Sequence, residues 1–391
     1  MKKLNIGLYG FGVVGQGLYE VLQKSKTVDA KILTVCVKHD KARKISRELL
    51  TRDQNRILND PAINVVVELI DDAEEAYHIV KRALLNGKDV VSGNKKMLAA
   101  HLEELIQIQK EAGRSLLYDA SACGSIPIIR NLEEYYDNDL LNSITGILNG
   151  SSNYILTQIF KRNIDYPSAL KEAQELGFAE SNPNLDINGS DSLYKLVIIA
   201  AHAFGLLVSP DEIFRFGIDK IQDFDVQFAK EKGLKIKLVA KVMKTETGEV
   251  SLFVAPSFVR KEEYIFNVEE EYNGVVIEGA FYEKQFMFGK GAGAFPTGSA
   301  VLSDITALSH NYKYEYKKQK YFQRPAFTNS ISLTFYLRYN RKDDLRYFDF
   351  EEVYEQYTGR RSNYVIGKIS LEKLIKIKDV LPGLPVFLGV M

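Results

Sequence analysis

The sequence predicts an α/β protein: an N-terminal Rossmann-type doubly wound parallel sheet, an α+β catalytic and dimerisation domain, and a small C-terminal α+β tail. Three observations carry this. Between Leu4 and Ser121, Val- and Ile-rich runs alternate with amphipathic helical periods. A glycine turn, G-x-G-x-x-G, opens that series. After Pro127 the rhythm breaks, and from about Leu234 strand-like runs dominate.

The elements follow in order. "LNIGLYGFGVVGQGLYEVLQ" reads strand, tight turn, helix: Leu4, Ile6 and Leu8 begin the strand, and Val14, Leu18, Val21 and Leu22 recur at helical spacing. "AKILTVCVK" is a second strand, followed by a basic helix over about 40–50. "INVVVELI" is a third strand, its near-continuous apolar content suited to burial on both faces. "EEAYHIVKRALLNG" is a helix closed by Gly87, "KDVVSGNK" a fourth strand, "LAAHLEELIQIQKEAG" a helix and "SLLYDAS" a fifth strand. "SITGILNGSSNYILTQIF" then mixes strand, turn and helix. Further helices are expected over about 168–176 and 191–204, the second capped by Ser190 and closed by Gly205. "GLKIKLVAKVMK", "EVSLFVAPSFV", "YIFNVEEEYNGVVIEG" and "FYEKQFMFGKG" make a mixed sheet of the kind that carries subunit contacts, so a homodimer or homotetramer is expected. "AFPTGSAVLSDITAL" is loop and helix, "HNYKYEYKKQKYFQRP" a polar linker, and the rest a small βαβαβ pattern. The expected domains are 1–128 for the dinucleotide, with 289–318 packing back onto it, 129–288 for catalysis and dimerisation, and 325–391 for the tail.

Bulk composition excludes several classes. A chain of 391 residues is too long for one core. Lys+Arg 51 against Asp+Glu 51 leaves no net basic field to attract nucleic acid or anionic lipid. No apolar run is long enough to span a bilayer. The start "MKKLNIGLYGFG" mimics a signal peptide only until Asn5 and the glycines interrupt it. Cys36 and Cys123, with five scattered histidines, form neither a disulfide framework nor a zinc cluster. The expectation is a cytoplasmic protein that meets a small molecule, with neither nucleic acid nor membrane as partner.

The glycine turn sits between a strand and a helix, the context that gives it meaning. Gly10 permits the turn, Gly12 lets a pyrophosphate approach the backbone, and Gly15 allows close packing of helix and strand. The helix start adds N–H groups and the positive end of its dipole. Gly10, Gly12, Val13, Val14 and Gly15 are therefore assigned to a dinucleotide. The second strand ends "VCVKHDKARK": Lys38 stands where NAD-specific sites carry a carboxylate, with Lys41, Arg43 and Lys44 behind it. Cations there suit a ribose 2′-phosphate, which favours NADP over NAD. Lys95 ends the fourth strand, where strand carboxyl ends border a ligand crevice.

"GFAESNPNLDINGSDSLYKL" raises a different question, because it sets several carboxylates and one lysine before an apolar helix. Asp191 and Lys195 are i, i+4 and share a helix face. Burial favours the neutral amine of Lys195 while its acidic neighbours favour the ammonium. Alone, the pair reads equally well as a helix salt bridge of roughly 0.3–0.5 kcal/mol.

Several blocks taken together resemble homoserine dehydrogenases: "GFGVVGQG", "VVELI", "GKDVVSGNKKMLAAH", "YDASACGSIPIIRNL", "ITGILNGSSNYIL", "GFAESNPNLDINGSDSLYKL" and "GKGAGAFPTGSAVLSDI". They run in the family's order from about Leu4 to Leu308. The resemblance implies NAD(P)-linked interconversion of L-homoserine and L-aspartate 4-semialdehyde, on the route to threonine and methionine. It implies that Lys195, Asp191 and Lys95 are catalytic, and that Glu180, Asp186 and Lys195 bind the substrate amine and hydroxyl. It extends the cofactor set to Asn94, Lys95 and Gly293. It also implies a monovalent cation, sodium by preference, held by Asp119, Ala122, Gly124 and Ile126.

The sequence departs from the family pattern at several points. Asp71 and Asp72 replace a glycine pair after "VVELI", Asp119 replaces Glu, Ser92-Gly93 replaces Thr-Ala, and Asn182 replaces Asp. The tail is at most an ACT-like remnant, lacking the turn that follows the first ACT strand. Asp71 and Asp72 motivate the alternative reading, a non-catalytic or regulatory homologue with weakened cofactor binding. A related oxidoreductase for another small amino alcohol is a third.

Overall fold

The computed structural model describes residues 2–39, 45–360 and 362–391. The chain forms two compact units: Met1–Asp137, Ala201–Leu207 and Lys290–Phe322 in one, and Asn138–Ala200, Val208–Gly289 and Gln323–Met391 in the other.

In the first unit, β1 (Leu4–Tyr9), β2 (Ala30–Cys36), β3 (Leu50–Thr51), β4 (Val65–Glu68), β5 (Asp89–Ser92) and β6 (Leu116–Leu117) form one sheet. Its order is β3-β2-β1-β4-β5-β6, and every pair is parallel. The order reverses direction between β1 and β4, which creates the switch point where doubly wound sheets bind ligands. All four residues of β4 are buried, as its apolar run required.

Glycines set the close approaches around the turn that follows β1. Gly10 has φ +88°, and a Cβ there would lie 2.4 Å from the Leu69 carbonyl oxygen. A Cβ on Gly17, in the helix Val13–Lys24, would lie 1.9 Å from the Ala294 carbonyl oxygen. The helix Ala294–Ser309 therefore packs backbone to backbone on the first helix, with Gly298 facing Gly17 and Leu18.

Three expectations for this unit are corrected. Of the basic helix over 40–50, residues 40–44 lie outside the described residues; Arg47–Leu49 is a 3₁₀ turn that leads into β3. The fifth strand shrinks to the two residues of β6, because Asp119 begins a short helix, Ala120–Cys123. The run 310–325 is not simply a polar linker. Tyr314 and Tyr316 are 2% and 6% exposed, and Lys317–Tyr321 is helical. The Tyr118 hydroxyl hydrogen-bonds His202 Nε2 at 2.7 Å and the Tyr316 hydroxyl at 2.8 Å. The interleaved charges of "KYEYKK" make this buried pair of rings read as a polar stretch.

In the second unit the strands are β7 (Leu141–Ile147), β8 (Phe214–Arg215), β9 (Lys235–Lys244), β10 (Val250–Val259), β11 (Tyr272–Gly279), β12 (Glu283–Lys290), β13 (Ser332–Tyr339), β14 (Glu352–Thr358), β15 (Asn363–Ser370) and β16 (Phe387–Val390). They form one sheet of order β12-β11-β7-β9-β10-β16-β13-β15-β14, with β8 beside β10. It is mixed: β10 pairs parallel with β8 and β16 and antiparallel with β9. Ile147, Val239, Val259, Ile265 and Val268 form a core cluster in this unit.

The tail differs from its expected βαβαβ order. It runs strand, strand, strand, helix, strand, and β16 joins it to β10 in the common sheet. "FDFEEVYEQY", which stands at the first helical place of that order, instead contains β14, all of whose residues are exposed. Its Val, Tyr and Thr content favours extended backbone where no buried helix face is available.

Three helices frame the substrate-side residues: Gly150–Arg162, Tyr166–Glu175 and Ser190–Phe204. Asn149 caps the first by accepting from Ser152 N at 2.7 Å. Ser190 is the first helical residue rather than the cap, and its N–H donates to Asn188 Oδ1 at 2.9 Å. Gly205, at φ +72°, ends that helix.

Candidate active site

The dinucleotide turn in the first unit is built as such sites require. Gly12 precedes the helix Val13–Lys24, whose first turn carries no acidic residue. A Cβ on Gly12 would meet nothing within 4 Å. Protein packing therefore does not demand glycine there, and the open space together with the helix N–H groups fits a pyrophosphate. Gly15 does answer to packing, since its Cβ would lie 2.5 Å from the Gly10 carbonyl oxygen. Val13 is exposed and Val14 half-buried at the helix start. Lys38 is exposed just beyond β2; Lys41, Arg43 and Lys44 lie outside the described residues. Gly293, at φ +124°, precedes the helix Ala294–Ser309.

A closed ring of hydrogen bonds joins the carboxyl ends of β4 and β5. Glu68 Oε1 accepts from Ile70 N at 2.7 Å, and Glu68 Oε2 accepts from Ser92 Oγ at 2.6 Å. Ser92 Oγ accepts from Asn94 N at 3.1 Å, and Asn94 Nδ2 donates to the Ile70 carbonyl at 3.0 Å. Asn94 Oδ1 also accepts from Met97 N, capping the helix Lys95–Ala112 and so placing Lys95 as its first residue. Burial pushes the Glu68 carboxyl up to about 7, outweighing the hydrogen bonds from Ser92 and Ile70. Asp72 has a local role: its carboxylate caps the helix Ala73–Leu85 by accepting from Glu75 N at 2.9 Å. Asp71 beside it is exposed.

Asp119 is buried, and its Oδ1 accepts from Arg130 N at 3.0 Å. Its own N–H donates to Asp304 Oδ2 at 2.9 Å, and Arg130 pairs with Asp304 Oδ1 at 2.7 Å. Burial pushes Asp119 upward, against the pull of Arg130. The Ile126 carbonyl accepts from Ile128 N at 2.8 Å, and Gly124 turns the chain at φ +54°. One carboxylate and three main-chain carbonyls are hard oxygen donors of the kind a monovalent cation takes.

In the second unit the structure brings Lys195, Asp191 and Asp186 together. Lys195 and Asp191 are 6% and 4% exposed. Lys195 Nζ donates to Asp191 Oδ2 and to the Leu148 carbonyl, both at 2.7 Å. Asn149 Nδ2 bridges Asp186 Oδ1 at 2.7 Å and Asp191 Oδ2 at 2.9 Å. Asn273 Nδ2 donates to the same Leu148 carbonyl at 3.0 Å. Glu180 is exposed on the loop before the short helix Asn184–Ile187, and Gln174 donates to its carbonyl. The sequence reading missed Asn149, Asn273 and Glu68. Asn149 carries a local signal, an Asn directly before Gly-Ser-Ser at a helix start; Asn273, mid-block in "EYNGVV", carries none.

A glycine-turn dinucleotide unit joined to a unit with a buried lysine–carboxylate cluster defines a nicotinamide-linked oxidoreductase. Residues 127–306 match the family model for homoserine dehydrogenase, and residues 10–119 match the model for its NAD-binding domain. The chain belongs to the homoserine dehydrogenase family. It is 38% identical to homoserine dehydrogenase of Helicobacter pylori over 79% of this chain and 74% of that one. The crystal structure of a homoserine dehydrogenase from Thiobacillus denitrificans matches with a TM-score of 0.86 at 28% identity, covering 100% of this chain and 98% of that one. A hyperthermophilic archaeal homoserine dehydrogenase mutant in complex with NADPH matches with a TM-score of 0.69 at 26% identity, covering 80% and 100% respectively.

Proposed function

We propose the following division of labour for the reaction of this family, NAD(P)-dependent interconversion of L-homoserine and L-aspartate 4-semialdehyde in threonine and methionine biosynthesis. Lys195 takes the substrate's hydroxyl proton during oxidation and returns it in the reverse direction. Asp191 and the Leu148 carbonyl hold its amine, so that its remaining position is directed rather than free. Asp186 and Glu180 supply negative charge for the substrate ammonium. Lys95, the first residue of the helix that Asn94 caps, is the second lysine assigned to the reaction. The dinucleotide, when bound, supplies the hydride acceptor or donor at its nicotinamide. Gly10, Gly12, Val13, Val14, Gly15, Asn94 and Gly293 hold it, and Lys38 favours the 2′-phosphate of NADP, the form bound by the archaeal relative.

The observation that carries this reading is the buried Lys195, hydrogen-bonded to Asp191 and Leu148. The test is absorbance at the reduced-nicotinamide band with homoserine and either cofactor. Lys195→Ala is expected to lose most turnover while binding NADPH normally; near-wild-type turnover overturns the assignment. Nothing in the comparisons favours a non-catalytic homologue, and Asp72, which helped motivate that alternative, is accounted for as a helix cap.

A sodium ion on Asp119 and the carbonyls of Ala122, Gly124 and Ile126 belongs to the same proposal, as a structural element that takes no part in the chemical steps. So does a homodimer or homotetramer. Tyr264 stacks on Phe286 and Tyr272 on Phe288, leaving aromatic surface at β12, an edge of the sheet. Light scattering of the purified protein checks the assembly. A cytoplasmic setting is proposed with these. Among the described residues no helix is long and apolar enough to cross a membrane.

A further inference from the structure

We propose that Asn273 is a positioning residue for Lys195, acting through the main-chain carbonyl of Leu148. The inference rests on the reading of Lys195 as the proton-transfer group. Asn273 is the second residue of β11 and has no exposed surface. Its Nδ2 and the Lys195 Nζ donate to the same oxygen, at 3.0 and 2.7 Å. A carbonyl has two lone pairs, and this pair of donors occupies both. Leu148 follows directly on β7, whose Ile147 pairs with Gly274 of β11. The strand pairing thus carries Asn273 to the carbonyl, and the carbonyl together with Asp191 fixes two of the three tetrahedral positions of the lysine nitrogen. The direction of the third is set by those two anchors.

The other half of the amide separates this role from a structural staple. Asn273 Oδ1 is buried and has no hydrogen-bond partner. Reversing the amide would set Oδ1 against the Leu148 oxygen, so the orientation follows from the contact. An acceptor buried unpaired destabilises the fold, and an apolar side chain of similar size would avoid that cost. A staple alone does not explain retaining it. An amide kept to orient a working amine does, with the missing donor supplied by substrate or by water when the site is in use.

The experiment measures kcat and KM for homoserine against pH, with melting temperature and NADPH binding, for Asn273→Leu and the nearly isosteric Asn273→Asp. Asn273→Leu is expected to keep its melting temperature and NADPH affinity and to lose kcat by on the order of ten- to a hundredfold, the scale of a misplaced catalytic group. Asn273→Asp brings a carboxylate beside the amine and favours its protonated form. The low-pH limb of kcat should therefore move up by about one pH unit or more. A purely structural asparagine would instead show in Asn273→Leu as a lower melting temperature with kcat unchanged. If Asn273→Asp folds and keeps the wild-type kcat and pH profile, the proposal is overturned, whatever the fate of the leucine variant. Lys195→Ala, measured alongside, separates the two ideas: if it is inactive while the Asn273 variants are normal, only the role of Asn273 falls; if it stays active, the reading of Lys195 falls first.

Discussion

Asn149 holds Asp186 and Asp191 together, donating from one amide nitrogen to Asp186 Oδ1 at 2.7 Å and Asp191 Oδ2 at 2.9 Å. The same side chain turns its oxygen to Ser152 N, capping the helix Gly150–Arg162. One residue therefore serves the helix with its acceptor and the carboxylates with its donor.

These two roles can be separated. Asn149→Ser keeps a capping oxygen for Ser152 N but is too short to bridge the two carboxylates. It should stay close to wild type in stability while turnover falls at least about tenfold, since the carboxylates no longer hold one arrangement. Asn149→Ala loses both roles and should also lose about 1 kcal/mol of stability, the usual worth of a cap. Equal melting temperatures for the two variants would show that the cap contributes nothing.

The glycine turn offers a second separation. Gly12→Ala adds a methyl group that meets nothing within 4 Å, whereas Gly17→Ala drives one to 1.9 Å from the Ala294 carbonyl oxygen. Gly12→Ala should fold normally and bind NADPH at least about tenfold more weakly, because the methyl stands where the pyrophosphate approaches. Gly17→Ala should instead destabilise the unit by roughly 1–3 kcal/mol through overpacking between two helices. Thermal melting and NADPH titration of both variants check the pair. Unchanged NADPH affinity in Gly12→Ala removes Gly12 from the cofactor set.

These contrasts also show what the sequence could and could not disclose. The parallel sheet was legible because Val-rich runs, helical periods and glycine turns are local patterns, and its strand order follows the doubly wound rule. The pairing of Asp191 with Lys195 was legible because i, i+4 is a property of one helix. Asn273 was not: 78 positions separate it from Lys195, and only the pairing of β7 with β11 delivers it to Leu148. The tail misled for a related reason. The strand β14 buries none of its residues, so no alternation of apolar and polar residues marks it.

Glu68 gives a prediction in pH. Its carboxyl is fully enclosed, and burial raises it from the ordinary 4.5 to about 7. Between those values the folded chain keeps a proton that the unfolded chain has released, so folding stability falls as pH rises through that window. The slope approaches about 1.4 kcal/mol per pH unit for one group. Glu68→Gln keeps an acceptor for Ile70 N and cannot ionise. The stability of wild type minus Glu68→Gln, from urea unfolding at several pH values, should therefore decrease from pH 4.5 to 7 and then level off. A flat difference would mean that the carboxyl in the ring between β4 and β5 is ionised across the window, as it is in the unfolded chain.

Lys237 on β9 predicts the opposite slope in the other unit. It is among the largest side chains that are wholly buried, and its ammonium donates to the Val268 carbonyl and to Asn153 Oδ1. Asn153 Nδ2 also donates to the carbonyls of Val268, Glu270 and Tyr272, so the two residues together hold the turn that leads into β11. Burial, and then the charge of Lys235, lowers Lys237 from 10.5 to about 7. Between those values the unfolded chain binds the extra proton, so stability rises with pH across the window, again by up to about 1.4 kcal/mol per unit. Lys237→Met fills much the same space without a charge. Wild type minus Lys237→Met should therefore gain stability from pH 7 to pH 9; a constant difference would mean that hydrogen bonds to the ammonium offset its burial. A gain would locate a neutral amine in the wall of the turn that leads into β11, so that wild type should hold that turn more firmly at pH 9 than at pH 7, whereas Lys237→Met should show no such change. Hydrogen exchange of the Tyr272 and Asn273 amides at the two pH values, corrected for the intrinsic pH dependence of exchange, tests that last step.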